Sequence, residues 1–339
     1  MQKDIRDTQK MSKIARNWNR NDYTGIAVPR VPTGYTALDQ ALGGGLIPGI
    51  HCIGAMSTLG KSAFVGQMID QMAAQGHCCL HFSLEVAKNV IVAKSISRQM
   101  YMDDPGAAKT PTELMDNRVM AKFKDSEWQN VEKAAKKVEE IGDKIWIMTG
   151  SEGYQTAADI AAYVDEWVAK YQDKPVVVID YVQLLDASAQ KTYTEKQKID
   201  ESMKILQKSA LQYAIPIIII SSFNRQSYKE VVSMQSFKES GSLEFSAETL
   251  IGLQLRGAGT KEFDYKKALA DNPRKVELYI LKSKNSAILS ECLQYKFYTS
   301  YCYFAEQQEG KRDKSIDYEG NVKNRKSKKI IKRDVRDFI

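Results

Sequence analysis

The stretch GAMSTLGKSAF, which begins at Gly54, contains the residue types that bind a nucleotide phosphate. Gly60, Lys61 and Ser62 supply a turn without a Cβ atom, an ammonium for the β- and γ-phosphates and a hydroxyl for Mg²⁺. Gly54 stands one place too early for the usual loop spacing, so the first loop position falls on Ala55. The stretch predicts a phosphate-binding loop. A chance Gly-Lys-Ser in an ordinary strand–turn–helix is the alternative.

Carboxylates close two apolar segments that follow this loop. Glu85 comes directly after HFSL, where a carboxylate can orient or deprotonate a water that attacks the γ-phosphate. Asp180 ends the apolar run VVVID, where burial of an unpaired acid is costly and hydrated Mg²⁺ would be a suitable partner. Two further polar segments, SSFNR (221–225) and KSK (282–284), lie at or near the ends of later strands. Each residue could instead be solvated at a strand end.

The surrounding pattern predicts an α/β fold that would bring these residues together. GIHCI reads as a strand entering the loop, and the following residues have helical spacing up to Gly76. PVVVIDY and IPIIIISS are continuous β-branched runs, typical of strands buried on both faces of a parallel sheet. LIGLQL, VELYIL and CLQYKFYTSYCYF are expected to continue the sheet with antiparallel strands. We therefore predict a mostly parallel central sheet with helices on both faces.

Composition and charge indicate the class of protein and where in the cell it is expected. The chain has 339 residues, of which 43% are hydrophobic and 27% charged, without a run long enough to span a membrane. The N-terminus lacks the apolar core of a signal peptide, so we expect a cytoplasmic protein with no membrane partner. The net charge of +7 is concentrated at 323–333, where seven residues are basic and none is acidic. That run either contacts nucleic acid or another acidic surface, or is simply solvated.

The cluster HCCLH raises the possibility of a metal site. On a strand, His77, Cys79 and His81 would share one face. The cluster lies in an apolar run, however, and a buried strand explains it equally well. The five cysteines form no C-x-x-C motif, which fits reduced thiols.

From about Gly34 to Phe304 the sequence resembles the RecA-type C-terminal motor domain of DnaB-family replicative helicases. TGYTALDQALGGGL is similar to the family's segment before the loop, and the family's loop usually begins with alanine, as Ala55 does here. FSLEV resembles the family's F-S-L-E-M, and IDYVQLLD its I-D-Y-L-Q-L. KESGSLEFSAE resembles R-E-S-G-S-I-E-Q-D-A-D. These motifs are more specific than a phosphate-binding loop alone.

The resemblance implies a RecA-like ATPase that uses Mg²⁺, forms a homohexameric ring and moves on single-stranded DNA. It implies Lys61 and Glu85 in catalysis, with Lys282 and Lys284 acting on the nucleotide of a neighbouring subunit. It implies Ser62 and Asp180 as metal-site residues, the latter through a water. The residues implied to contact ATP are Ala55, Met56, Ser57, Thr58, Leu59, Gly60, Lys61, Ser62, Ala63 and Ser222. The residues implied to contact DNA are Arg225, Lys238, Glu239 and Gly241.

Three departures from the family pattern are visible. Ser222 stands where the family commonly has a glutamine that senses the γ-phosphate, and Lys284 stands at the place of its trans-acting arginine. A lysine keeps the charge but lacks the planar fork that clamps a phosphoryl group. In place of the family's N-terminal collar we expect only a polar arm, 1–28, before a motor domain, 29–306. A basic, disordered tail, 307–339, is expected to follow.

Three functional hypotheses follow from these observations. The first is an ATP-driven ring helicase that translocates on single-stranded DNA, 5′ to 3′, in replication. The second is an ATP-gated protein that assembles on DNA or on a partner without unwinding, which the departures at Ser222 and Lys284 favour. The third is a recombination role, because ALGGGLIPG also resembles recombinase-mediator and clock-type relatives. The sequence identifies neither a loader nor a primase partner.

Overall fold

The computed structural model of the protein describes residues 28–185, 194–237, 240–286 and 292–307. Several sequence-based expectations fall outside these ranges. They concern most of the N-terminal arm, the residues Lys238 and Glu239, and the basic tail with its run at 323–333.

Within the described residues the chain forms one sheet of nine strands. The strands are β1 (Gly49–Ala55), β2 (Cys79–Ser83), β3 (Ile145–Thr149), β4 (Val176–Asp180), β5 (Pro216–Ser222), β6 (Thr249–Leu255), β7 (Arg274–Ser283), β8 (Leu293–Tyr298) and β9 (Tyr303–Glu306). Their order across the sheet is β3-β2-β4-β5-β1-β6-β7-β8-β9. The pairs from β3 through β6 are parallel, and those from β6 to β9 are antiparallel.

Two expectations about the end of the sheet are wrong. The run LIGLQL, now β6, pairs parallel to β1, because the chain returns to the other edge of the sheet between β5 and β6. The residues of the strand itself carry no signal for this crossover. The run CLQYKFYTSYCYF forms two strands instead of one, separated by a 3₁₀ turn at Thr299–Tyr301. Cys302 follows the turn with a φ of 52°, a left-handed conformation more often taken by glycine or asparagine, so the turn has no sequence signal.

Helices cover both faces of the sheet. The α-helices within the described residues are α1 (Thr36–Ala41), α2 (Lys61–Ala74), α3 (Lys88–Asp103), α4 (Asn117–Met120), α5 (Asp125–Gly142), α6 (Ala157–Tyr171), α7 (Glu195–Tyr213), α8 (Ser240–Ser246) and α9 (Tyr265–Ala270). Short 3₁₀ helices lie at Glu113–Met115, Gly150–Glu152, Val182–Leu184, Arg225–Lys229, Met234–Ser236 and Thr299–Tyr301. None of the helices in the described ranges is long and apolar enough to span a membrane.

The hydrophobic core has two layers, one on each side of the sheet. Alternate residues of the central strands point to opposite layers, as the two-residue period of a strand requires. Val178 and Ile218 belong to the layer that contains α2, whereas Val177 and Ile217 belong to the layer that contains α6 and α7. All four are completely buried. The β-branched runs are therefore covered on both faces, as the sequence predicted.

The last strand is connected to the first helix. The Glu306 carboxylate accepts hydrogen bonds from the backbone N–H groups of Thr36 and Ala37, both at 2.9 Å. These N–H groups begin α1 and have no partner within the helix, so an acidic side chain there satisfies them and favours the helix dipole. This contact ties the last described strand to the first described helix.

Gly54 has a packing role within β1. A Cβ atom built at Gly54 would lie 2.2 Å from Cε1 of Phe237 and 2.6 Å from Cε1 of Phe223. These two rings pack edge to face, with centroids 5.0 Å apart. The glycine before the phosphate-binding loop is thus explained by two aromatic rings and not by a phosphate.

We expect Gly54→Ala to destabilise the domain by about 1–3 kcal/mol, because a methyl group there overpacks the two rings. Gly142→Ala is the matched control, since no described atom lies within 4 Å of a Cβ built at Gly142. Chemical denaturation monitored by circular dichroism measures both. Equal unfolding midpoints for the two variants would show that the rings can move aside at no cost.

Candidate nucleotide-binding site

The predicted site residues from four strands meet at one edge of the sheet. In the register of the parallel strands, Ala55 at the end of β1 lies opposite Ser222 at the end of β5. Ser83 at the end of β2 lies opposite Asp180 at the end of β4. The parallel arrangement therefore gathers the phosphate-binding loop, the two predicted acids and Ser222 at the carboxyl edge, where α/β proteins bind ligands.

The loop from β1 to α2 has the geometry of an anion cradle. Thr58 and Gly60 have positive φ values of 66° and 100°, which turn the backbone before the helix begins at Lys61. A Cβ atom at Gly60 would lie 2.5 Å from Cε1 of Phe297, so glycine is required by packing as well as by conformation. The N-terminus of the 14-residue α2 faces the cradle, and helix N-termini favour anions.

The Lys61 ammonium lies over its own loop. Its Nζ donates to the carbonyl oxygens of Ala55 and Met56, both at 3.2 Å. These are weak partners for an ammonium, and a phosphate oxygen would be a stronger acceptor. Lys61 is therefore in place to contact a phosphate held by the loop.

Asp180 and Ser62 form the candidate Mg²⁺ site. Asp180 is only 4% exposed, and burial raises the pKa of its carboxyl, an effect that a hydrogen bond with Ser62 opposes and nearby Glu85 adds to. A carboxylate and a hydroxyl are oxygen donors of the kind that Mg²⁺ prefers, so the pair fits this ion. Mg²⁺ requires the ionised carboxylate, so metal binding is expected to weaken as the pH falls toward this raised pKa.

Glu85 is exposed at the same edge, two residues beyond β2. The Leu84 N–H donates to the carbonyl of Asp180 at 2.8 Å, and Ser83 Oγ donates to the carbonyl of Val86 at 2.8 Å. These two bonds hold the turn that contains Glu85, and the first of them joins this turn to the end of β4. The Glu85 carboxylate is consequently near Asp180, whose pKa its charge helps to raise.

Two residues that the sequence did not single out contact the phosphate-binding loop. The Tyr228 hydroxyl accepts from the backbone N–H of Ser57 at 3.3 Å. The Arg274 guanidinium donates to the carbonyl of Thr58 at 2.7 Å and also to the carbonyl of Leu269. Neither residue lies in a recognisable motif, since each reaches the loop from a distant part of the chain. No local sequence pattern therefore predicts either contact.

The HCCLH cluster belongs to the core apart from His77, which precedes β2 and is half-buried. His81 is 6% exposed, and burial together with the charge of Lys94 lowers its pKa to about 4. Cys79 is completely buried, and burial raises the pKa of its thiol. Across the described part of the chain, no three His, Cys, Asp or Glu residues are grouped so that they could hold a metal ion. The buried-strand interpretation accounts for these residues.

Lys282 and Lys284 lie at the opposite end of the strands, where the parallel strands begin. Ser283, between them, pairs with Thr249 at the start of β6, because β7 runs antiparallel to its neighbour. Lys282 Nζ donates to the carbonyls of Glu244 and Ala247, so its ammonium is bound within its own chain. Lys284 is more exposed and forms an ion pair with Glu248 at 2.8 Å.

The strand register gives the separation between Lys284 and its own loop. The Lys284 N–H donates to the Glu248 carbonyl, and the Glu248 N–H donates to the Ile50 carbonyl, which places all three at one level. Ala55 lies five residue steps along β1 from Ile50. At roughly 3.3 Å per residue this is about 16 Å, more than a lysine side chain can span. Lys284 cannot reach a nucleotide bound to the loop of the same chain.

The residues predicted to contact DNA are only partly described. Gly241 lies in the first turn of α8. Arg225 begins the 3₁₀ helix after β5, next to Asn224, whose amide donates to the carbonyl of Phe237 at 3.4 Å. The chain thus brings the turn at 224–225 beside the residue that precedes Lys238. The placement of Lys238 and Glu239 lies outside the described residues.

Comparisons with known proteins identify the family. The model of the DnaB-like helicase C-terminal domain matches residues 30–306. The replicative DNA helicase DnaB of Leifsonia xyli subsp. xyli is 25% identical over 286 residues, which cover 81% of this chain and 56% of that protein. The chain spans somewhat more than half the length of the curated relatives it matches.

Solved structures agree on the fold. A DnaB-like replicative helicase, described with its interactions with primase, has a TM-score of 0.70 with 21% identity, covering 89% of this chain and 68% of its own. A separately solved ATPase domain has a TM-score of 0.72 with 21% identity, covering 89% of this chain and 100% of its own. The predicted RecA-like α/β fold is confirmed, and the chain belongs to the DnaB-like helicase C-terminal domain family.

Proposed function

We propose that this chain is the motor of an ATP-dependent helicase that forms a homohexameric ring, translocates on single-stranded DNA from 5′ to 3′ and separates duplexes during replication. The placement of Lys284 supports this proposal most directly, because its backbone lies about 16 Å from its own phosphate-binding loop, so Lys284 can contribute to hydrolysis only at the loop of a neighbouring copy. The relatives named replicative DNA helicase support the same reaction.

In this proposal the nucleotide is ATP and each of its phosphates has a partner. Lys61 and the N–H groups at the start of α2 bind the β- and γ-phosphates, and Glu85 accepts the proton of the attacking water. Ser62 and Asp180 hold Mg²⁺, which neutralises phosphate charge when bound. Ser222 lies close to the loop, but its hydroxyl has a shorter reach than the family's glutamine. We expect hydrolysis to be slow unless Lys284 of a neighbour contributes.

The proposed partners are single-stranded DNA and further copies of the chain. Lys238, Gly241 and Arg225 would contact the DNA backbone, where ammonium, guanidinium and N–H groups bind phosphates without selecting bases. A primase is a further proposed partner, since one similar helicase is described with primase. The alternative is an ATP-gated assembly on DNA. It would use the same nucleotide and DNA contacts but would not separate the strands.

A forked DNA with a 5′ single-stranded tail tests the proposal. We expect ATP-dependent release of the labelled strand from the 5′-tailed fork and little release from a 3′-tailed fork. Lys61→Ala should abolish nucleotide binding and unwinding together, because it removes the ammonium at the phosphates. ATP hydrolysis and DNA binding without strand release on either fork would favour the assembly function.

Glu85→Gln should bind ATP and single-stranded DNA normally but turn over ATP ~10²–10⁴-fold more slowly, because positioned general-base catalysis contributes that much. Single-turnover hydrolysis and nucleotide affinity measured on the same sample separate the two steps. Glu152→Gln is a matched control, since Glu152 is a half-exposed carboxylate that pairs with Lys88 nearby. Turnover within about threefold of the wild type would leave Glu85 without a catalytic role.

Lys284→Ala should retain ATP affinity but lose nearly all hydrolysis, because a trans-acting cation can contribute ~10³–10⁵-fold to the rate. Mixing this variant with Lys61→Ala should restore part of the ATPase, since a mixed ring contains interfaces with an intact loop and an intact lysine. Steady-state ATPase across mixing ratios measures the effect. Normal hydrolysis by assembled Lys284→Ala would remove the trans-acting role.

A further inference from the structure

Glu248 uses both carboxylate oxygens on the segment that contains Lys284. Its Oε1 accepts from the Lys284 ammonium at 2.8 Å, and its Oε2 accepts from the Asn285 side-chain amide at 3.2 Å. The Glu248 side chain is 17% exposed and that of Lys284 is 39% exposed. The bond from Asn285 orients the carboxylate, and an oriented carboxylate restricts the Lys284 ammonium more than an ion pair alone would.

The backbone around Glu248 is fixed at the same place. Its N–H donates to the Ile50 carbonyl at 2.7 Å, and its carbonyl accepts from the Lys284 N–H at 3.1 Å. Its side chain packs directly on Gly49, where a Cβ atom would lie 2.2 Å from the Glu248 Cγ. The carboxylate is therefore held between the start of β1 and the end of β7.

Helix α8 ends next to this carboxylate. Lys282 Nζ donates to the carbonyls of Glu244 and Ala247, which lie at the C-terminal end of α8 and directly after it. These carbonyls have no partner within the helix, and a lysine there also favours the helix dipole. Lys282 and Glu248 thus connect α8 to the segment of Lys284 by two independent contacts.

The other end of α8 follows the loop proposed to contact DNA. Gly241 lies in its first turn, and Phe237, three residues before the helix, pairs with Phe223 at the carboxyl edge of the sheet. A seven-residue helix spans about 10 Å, so α8 links the proposed DNA-contact region to the level of Lys284 as one rigid element.

We propose that Glu248 is a positioning residue for Lys284 and that it transmits the position of α8, and hence the state of the DNA-contact loop, to the neighbour's nucleotide. This proposal rests on the proposed function, in which Lys284 acts in trans. In this route a shift of α8 on DNA binding is passed through Lys282 and the Glu248 side chain to the ammonium of Lys284, while the Glu248 backbone stays hydrogen-bonded to β1 and β7. The consequence is a defined route by which single-stranded DNA stimulates ATP hydrolysis.

Glu248→Gln tests this route, because it keeps the size of the side chain and removes the charge that holds Lys284. We expect the kcat of the DNA-stimulated ATPase to fall about tenfold, since small misplacements of a reacting group are costly. The KM for ATP should stay within about twofold, and the ratio of stimulated to basal kcat should fall. Asn285→Ala, at an exposed position, should lower the same ratio by a smaller factor.

Asp103→Asn is the matched control, because Asp103 forms a similar partly exposed ion pair with Lys137 at the end of α3 and should leave the ratio unchanged. An unchanged ratio in both Glu248→Gln and Asn285→Ala, beside an inactive Lys284→Ala, would overturn the positioning role and leave the proposed function intact. A fully active Lys284→Ala, or a wild type that DNA does not stimulate, would overturn both.

Discussion

The direction of the strands is the constraint on which the site depends. Parallel strands place their carboxyl ends at one edge, so Ala55, Asp180 and Ser222 come together although they are far apart in the chain. The reversal at β7 has the opposite effect and carries Lys284 to the other edge. One domain thus presents the phosphate-binding loop on one side and the proposed trans-acting cation on the other. Under the proposed function, a complete ATPase site therefore forms only between two copies of the chain, one with the loop and the other with Lys284.

Burial explains which polar groups of the domain are suited to chemistry. Asp180 and His81 are both nearly inaccessible, but Asp180 lies beside a hydroxyl at the end of a strand, whereas His81 lies within β2. The carboxylate can be stabilised by a cation that enters with the nucleotide. The imidazole is kept neutral by its surroundings and contributes to the core. Equal burial therefore has different consequences: a polar side chain at a strand end can bind a ligand, whereas one inside a strand packs in the core.

Local patterns predicted much of the fold and fewer of the contacts. The β-branched runs and the helical spacing after the phosphate-binding loop predicted correct elements, β4, β5 and α2, because buried strands and helix periodicity leave a direct signal. The direction of β6 had no local sequence signal, because it depends on a crossover of the chain. The turn at Thr299–Tyr301, which separates β8 from β9, had no local sequence signal either, because it depends on packing against distant residues. The same limit applies to Arg274 and Glu248, whose partners lie far away in the sequence. The roles of the site residues remain predictions.

The contact of Glu306 with the first turn of α1 joins the last described strand to the first described helix. The two ends of the described fold nevertheless lie at different ends of the sheet. Arg30 lines a small cavity with His51 and Thr249, where β1 and β6 begin, whereas Glu306 lies at the level of Leu255, where β6 ends. A linker that joined residue 28 to residue 307 would therefore have to cross the domain, so this contact fastens the last strand in place and does not prepare the domain for circular permutation.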